Sequence, residues 1–282
     1  MILFKNSEDL IAYIKRKGFG KPDIGFIPTM GALHQGHLSL IEASRKERAF
    51  TLCSIFINPT QFNDPGDYHN YPVTLENDIE LLEQAETDAL FLPSAATIYP
   101  DGTRQLRHYE LAGLEDVLEG KFRPGHFQGV CQVMHRLLTI VGAAHLYMGQ
   151  KDYQQCMVVQ QLIDQTGLEV ELHACPTMRA SGGLAMSSRN ARLTEAERQR
   201  AVAIHNTLTY IHEHLSKGSL QELKKHATTL LEKEEFKVDY VELADADTLE
   251  IVHTWNGKTA LVALVAAFLG QVRLIDNMKV SG

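Results

Sequence analysis

The sequence predicts an α/β chain in which a doubly wound parallel sheet is followed by a smaller α+β domain. Three observations lead there. Short apolar runs alternate with amphipathic helical patterns through the first two thirds of the chain. Those runs are apolar without alternation, as strands covered on both faces must be. After Asn190 the order changes to helices followed by strands.

Strands are expected at Ile24 to Pro28, Thr51 to Ile57, Ala89 to Pro93, Leu146 to Met148 and Glu169 to Ala174, each bounded by Gly, Pro or polar residues. Ahead of them, Met1 to Arg16 is a short apolar run leading into a charged amphipathic stretch. Between the strands, helical spacing predicts roughly His37 to Arg48, Leu75 to Ala85, Gln128 to Val141 and Tyr153 to Thr166. Past Asn190, Thr194 reads as a helix N-cap with Glu195 and Glu197 in the first turn, where the dipole favours negative charge. Helices about Glu195 to Leu215 and Leu220 to Glu234 follow, parted by Lys217-Gly218-Ser219. Strands are then expected at Val238 to Leu243, Ala260 to Phe268 and Val272 to Ile275, with a turn at Gly270.

The bulk properties bound the function. A chain of 282 residues, 44% hydrophobic and 22% charged, is ordinary for a globular protein and excludes disorder and coiled coil. A formal net charge of -8 argues against a protein that coats nucleic acid, while a local basic pocket can still take a nucleotide. Cys53, Cys131, Cys156 and Cys175 stand at isolated positions with no metal-ligand spacing, as small core residues of a reducing compartment do. The longest apolar segment, Ala260 to Leu269, is shorter than the roughly 20 residues a bilayer span needs. The N-terminus lacks the apolar core and cleavage site of a signal peptide, so a cytoplasmic protein without membrane contact is expected.

In doubly wound sheets ligands bind beyond the carboxyl ends of the strands. Four segments stand at such ends or on the loop that follows. In Pro28-Thr29-Met30-Gly31-Ala32-Leu33-His34-Gln35-Gly36-His37 a strand gives way to a Gly turn and His37 opens a helix, so main-chain N–H groups and two imidazoles converge on one spot suited to phosphate. A zinc site at His34 and His37 would need further ligands that the spacing does not supply. Asn58-Pro59-Thr60-Gln61-Phe62 offers amides for a polar or carboxylate-bearing ligand, or is an ordinary Asn-Pro turn. In Gly149-Gln150-Lys151-Asp152-Tyr153-Gln154-Gln155, Lys151 can hold phosphate while Asp152 accepts from ribose hydroxyls or caps the helix. Met186-Ser187-Ser188-Arg189-Asn190, behind a flexible Ser181-Gly182-Gly183, can close over a triphosphate or serve as an interdomain linker. Their convergence after three strands of one sheet is what points to phosphate.

With these residues the sequence resembles the pantothenate synthetase family along essentially its whole length. His34-Gln35-Gly36-His37 matches the His-x-Gly-His signature shared with nucleotidylyltransferases and class I aminoacyl-tRNA synthetases, which implies their Rossmann-like sheet. More specific are Pro28-Thr29-Met30-Gly31, Asn58 to Phe62, Arg123-Pro124-Gly125-His126-Phe127, Lys151 to Gln155 and Met186 to Asn190. The resemblance implies an ATP-dependent ligase acting on pantoate and β-alanine, with a catalytic domain at residues 1–184 and a lid at 185–282. His34 and His37 would bind ATP phosphates, and Lys151, Ser187 and Arg189 would neutralise charge as pyrophosphate leaves. Pro28, Thr29, Met30, Gly149, Asp152, Met186 and Ser188 would complete the ATP site. Met30, Asn58, Gln61, Tyr71, Arg123 and Gln155 would hold pantoate or β-alanine, and Asp78 would help place Mg²⁺. A homodimer is also implied.

The sequence departs from the family pattern at Val73, usually Arg, at Gln150, usually Glu, and at Ala180-Ser181-Gly182, usually Glu-Ala-Asp. Two other readings follow. A nucleotidylyltransferase would share His34 and His37 but not the use of Gln61 and Gln155. A relative that binds ATP or pantoate without releasing pyrophosphate would account for the lost charges.

Overall fold

The computed structural model describes residues 1–281 and divides into two compact units, residues 1–150 with 154–176, and residues 151–153 with 177–282.

The first unit is built on a six-stranded sheet: β1 (Ile2–Phe4), β2 (Ile24–Thr29), β3 (Phe50–Ile55), β4 (Ala89–Phe91), β5 (His145–Gly149) and β6 (Glu171–Cys175). Their order is β1-β4-β3-β2-β5-β6 and every pairing is parallel. The expected doubly wound sheet is present, with β1 as an added edge strand made from the apolar run Ile2-Leu3-Phe4. The helices are α1 (Ser7–Lys17), α2 (Gln35–Glu47), α3 (Pro65–His69), α4 (Leu75–Gln84), α5 (Ala95–Ile98), α6 (Leu118–Phe122), α7 (His126–Val141) and α8 (Tyr153–Thr166). On one face, Ile27, Cys53, Ile55 and Leu90 of the sheet pack with Leu40 and Ile41 of α2 and Leu82 of α4. Full burial of such a side chain stabilises by about 1.5–3 kcal/mol. The close seating of α2 needs Gly25, because a Cβ there would lie 2.0 Å from Ser44 Oγ.

The strand order reverses at β2, where a crevice forms in sheets of this kind. Here β2 pairs with β3 from Ile24 to Thr29, but with β5 only at Gly25↔His145 and Phe26↔Leu146. The two strands therefore part toward their carboxyl ends, where the predicted site residues of this unit lie.

The second unit has α9 (Glu195–Ala201), α10 (Ala203–His214) and α11 (Gln221–Lys233), with β7 (Gly218–Ser219), β8 (Lys237–Asp245), β9 (Thr254–Trp255), β10 (Leu261–Leu269) and β11 (Val272–Ser281). An antiparallel sheet of order β11-β10-β8 is covered by α10 and α11, with Ile204, Leu208, Ile211 and Leu231 packed on Val241, Leu243, Ala263 and Val265. β7 and β9 form a two-stranded ribbon.

Four expectations are corrected in detail. The helix placed at His37 opens at Gln35, because the His34 imidazole caps it. The helix expected from Glu195 to Leu215 is two, parted at Val202, where the backbone keeps φ -59 and ψ -23. β11 runs to Ser281 rather than stopping at Ile275, since Asp276 and Asn277 are buried with hydrogen-bond partners instead of ending the strand. Residues 177–184 group with the second unit: Arg179 pairs with Asp276 and bridges to Ala185.

Candidate active site

The turn after β2 is held by a carboxylate far off in sequence. Gly31 has φ +83 and Ala32 φ 50, the left-handed region that costs an L-residue about 1–2 kcal/mol. Ala32 N–H donates to Asp78 Oδ2 at 2.9 Å and Leu33 N–H to Asp78 Oδ1 at 2.8 Å, while Thr74 Oγ1 donates to Oδ1 at 3.0 Å. Asp78 is only 1% exposed, so these bonds are made away from water and offset the strain. Thr29 Oγ1 donates to Ser54 O at 2.8 Å and accepts from Gly31 N–H, which ties the turn to β3.

The two histidines cap α2 and orient each other. Gly36 N–H donates to His34 Nδ1 at 3.1 Å, and His34 N–H donates to His37 Nδ1 at 3.3 Å. With both Nδ1 atoms accepting, each neutral ring carries its proton on Nε2. The rings lie 4.1 Å apart at the amino end of a thirteen-residue helix, as the spacing predicts. N–H donors and a helix N-terminus together suit a phosphate.

The Asn58 to Gln61 segment forms a 3₁₀ turn at Pro59–Gln61. Asn58, 1% exposed, spends its amide inward: Nδ2 donates to Gln61 Oε1 (3.2 Å) and Gly129 O (3.0 Å), and Oδ1 accepts from Tyr99 OH (2.8 Å) and Thr60 Oγ1 (3.1 Å). It sets the position of Gln61. Gln61 Nε2 in turn reaches Met30 Sδ at 3.1 Å, which brings together residues from two different strand ends. Arg123 joins the same group: Nη1 donates to His126 Nε2 (3.0 Å), and His126 Nδ1 donates to Gln61 O (2.8 Å). Tyr71 lies edge-on to Phe62, ring centroids 5.8 Å apart. On α8, Gln154 is buried with its amide bonded to Leu114 O, Val117 O and Glu119 N–H. Its neighbour Gln155 is half-buried with no side-chain hydrogen bond among the described residues.

Of the remaining predicted residues, Gly149 ends β5 in the first unit, and Lys151, Asp152 and Met186 to Arg189 belong to the second. Lys151 Nζ lies 3.6 Å from Asp152 Oδ1, and this segment is anchored by Asn277 Nδ2 donating to Lys151 O (2.7 Å) and Tyr153 OH donating to Ala246 O (2.6 Å). The loop expected to be flexible is a pinned hairpin. Ala180 N–H donates to Leu184 O, Met186 N–H to Met178 O and Arg179 Nη1 to Gly183 O. Arg179 also forks onto Asp276 at 2.5 and 3.0 Å. Gly183, φ +99, lies so close to His205 that a Cβ would be 2.0 Å from the ring. Ser187 then caps the 3₁₀ turn Ser188–Arg192 by accepting from Arg189 N–H at 3.3 Å.

Several residues of this machinery escape sequence reasoning. The motif containing His126 does not show its bond to Gln61 O, and Tyr99, Arg179, Asp276 and Asn277 act through partners distant in sequence and carry no local signal. Gly129 carries one: a glycine inside a helix costs about 0.5–1 kcal/mol relative to Ala, which points to a close approach. A Cβ there would lie 2.3 Å from Thr60 O.

A family model described as Pantoate-beta-alanine ligase matches residues 2–279. A pantothenate synthetase of Acetivibrio thermocellus is 42% identical over 284 residues, covering 99% of each chain. Among solved structures, a pantothenate synthetase from Thermus thermophilus superposes with TM-score 0.91 at 38% identity, covering 100% of both chains. A pantoate-beta-alanine ligase from Francisella tularensis, complexed with beta-gamma ATP and beta-alanine, does so with TM-score 0.82 at 36% identity, covering 99% of this chain and 98% of its own.

Proposed function

Because the chain belongs to the pantoate-beta-alanine ligase family, we propose that it condenses pantoate with β-alanine at the expense of ATP, through an enzyme-bound pantoyl adenylate. The observation that carries this reading is a family match running from residue 2 to residue 279. The relatives bear the name pantothenate synthetase, which does not favour a nucleotidylyltransferase.

A carboxylate is a poor electrophile. One oxygen of pantoate attacks the α-phosphorus of ATP, the bond to the bridging oxygen breaks, and pyrophosphate leaves. The amine of β-alanine then attacks the acyl carbon, loses a proton and expels AMP. Neither step needs a protein nucleophile; both need positioning and charge neutralisation.

The residues supply these. Met30, through its main chain, with Gln61 and Gln155, holds pantoate; the Gln61–Met30 contact and the uncommitted amide of Gln155 support this. Asn58 acts by fixing Gln61. Arg123 and Tyr71 serve pantoate or β-alanine, Arg123 from its anchor on His126. His34 and His37 donate Nε2–H to ATP phosphates beside Pro28, Thr29 and Gly149. Lys151, Ser187 and Arg189 offset the charge on departing pyrophosphate, Asp152 takes the ribose, and Met186 and Ser188 complete the nucleotide site. Enclosure by the second unit as a lid would protect the acyl adenylate from water.

Mg²⁺ bound with ATP would offset phosphate charge. Asp78 does not fit as its direct ligand, since both oxygens already accept main-chain N–H groups in a buried site. A homodimer, implied by the family resemblance, is checked by light scattering. A cytoplasmic location suits four cysteines that are all free thiols.

The test is product analysis with ATP, Mg²⁺, pantoate and β-alanine. Pantothenate and AMP in equal amounts, with every substrate required, is the expected result. A stable nucleotidylated product formed without amine, or no amide at all, would overturn the reading.

A further inference from the structure

At the amino ends of β5 and β6, away from the crevice, the sheet carries a second cluster of chemically capable side chains. His145 and Glu171 are the first residues of their strands and are register partners. His173 comes two residues later on β6, so it shares Glu171's face of the sheet. Strand rise of about 3.3 Å per residue puts His145 roughly 13 Å from Gly149, so this cluster is separate from the substrate site.

One atom from each residue closes a small triangle. His145 Nδ1 lies 3.0 Å from His173 Nε2 and 3.4 Å from Glu171 Oε2, and His173 Nε2 lies 3.8 Å from that same oxygen. A tetrahedral zinc ion with bonds of about 2.0–2.2 Å holds its ligand atoms roughly 3.3–3.6 Å apart. The triangle is thus already near the size of one tetrahedral face. Two neutral imidazoles and a carboxylate are also a ligand set that zinc uses with water in the fourth position.

The surroundings hold the rings. The His145 and His173 side chains are 12% and 21% exposed, and His173 stacks on Tyr147 with centroids 4.6 Å apart and planes at 16°. Tyr147 OH donates to Glu47 Oε2 and accepts from Arg48 Nε, and the Arg48 guanidinium pairs with Glu47 at 3.1 Å. The nearby cation is therefore matched by its own carboxylate, which leaves the charge of Glu171 for an incoming ion.

We infer that His145, Glu171 and His173 form a binding site for a divalent ion of the zinc type, bridging β5 to the edge strand β6. Without the ion, the facing nitrogens share a hydrogen bond and one of them carries the proton. Ion binding replaces that bond, and in the bound form the protons stand on His145 Nε2 and His173 Nδ1. The site is structural: it joins two neighbouring strands and touches none of the residues assigned to the reaction.

The experiment is titration of the chelator-treated full chain with Zn²⁺, followed by calorimetry and thermal unfolding, with Co²⁺ as a visible probe of coordination geometry. His173→Gln and Glu171→Gln are compared with His34→Gln/His37→Gln, which controls for the other histidine pair. The expected result is one saturable site per chain, with Zn²⁺ raising Tm in the parent and in the His34/His37 variant. His173→Gln should weaken binding beyond the roughly 10- to 100-fold that outer-shell changes cause. Glu171 is exposed, so Glu171→Gln should fold normally and still lose affinity. No saturable binding in the parent, or binding that survives both strand variants, would overturn the inference.

Discussion

Two loops, one in each unit, carry residues proposed to act in the reaction, and each is anchored by a buried aspartate in a different way. Asp78, 1% exposed, accepts two main-chain N–H groups of the turn after β2. Asp276, 4% exposed, accepts the guanidinium fork of Arg179 under the 177–186 hairpin. The first anchor fixes the backbone itself, so Met30 and the start of α2 are set regardless of neighbouring side chains. The second fixes one side chain, and the hairpin owes its shape to its own main-chain bonds and to Gly182 and Gly183 in the left-handed region. The pattern bears on the departure at Ala180-Ser181-Gly182: the hairpin there is held by main-chain bonds, by glycines in the left-handed region and by the Arg179–Asp276 pair, none of which needs a charged side chain at 180–182.

The largest effect is expected from breaking the backbone anchor. Asp78→Ala removes the acceptor of two buried N–H groups, each bond to a charged acceptor contributing about 1.5–3 kcal/mol, so roughly 3–6 kcal/mol should be lost. Urea unfolding of the first unit reads this out, with loss of pantothenate formation; an unchanged transition would show that the turn needs no anchor. Asp276→Ala should cost roughly 2–4 kcal/mol, since Arg179 is left largely buried without a partner, and should lower the transition of the second unit alone. A matching loss in the first unit would break the comparison.

Gly183→Ala tests the hairpin directly. Overpacking against His205 should cost about 1–3 kcal/mol, and His205→Ala in the same chain should recover part of it. Equal losses in the single and double variants would place the cost in the backbone and not in the ring contact.

A last prediction separates the units by pH. All four cysteines lie in the first unit, and burial pushes the Cys53 and Cys131 thiols up from 9.0 to about 12. A raised thiol pKa means the folded state keeps a proton that the unfolded chain loses, so stability is complete below about pH 9 and falls as pH rises toward 12. The limiting slope is about 1.4 kcal/mol per pH unit for each thiol. Unfolding between pH 8 and 11 should show alkaline loss concentrated in the first unit; equal losses in both would contradict it.

The parallel sheet was legible in the sequence because its strands are apolar on both faces, and α2, α4, α7 and α8 because their periodicity is local. The three-residue β1 was not, since so short a run takes its identity from β4. Within the site, His34, His37, Gln61 and Lys151 stand in compact motifs at strand ends. What the motifs do not reveal is how each residue is used. Asn58 looks like a ligand-binding amide until its partners Gly129 and Tyr99 are seen, and Gln154 differs from Gln155 only in what surrounds it. The ends of the Arg179–Asp276 pair lie 97 residues apart, and Asp276-Asn277 imitates the end of a strand. Such pairings are set by tertiary packing, which no local pattern records.

The most direct test of the central claim is pyrophosphate release from ATP and Mg²⁺ with pantoate, run with and without β-alanine. The two-step ligase requires pantoate for any release, about one equivalent per enzyme in the absence of amine, and sustained turnover with pantothenate once β-alanine is added. ATP binding with no pyrophosphate under either condition would contradict it, and would mean that the charges replaced at Ala180-Ser181-Gly182 outweigh the motifs that remain.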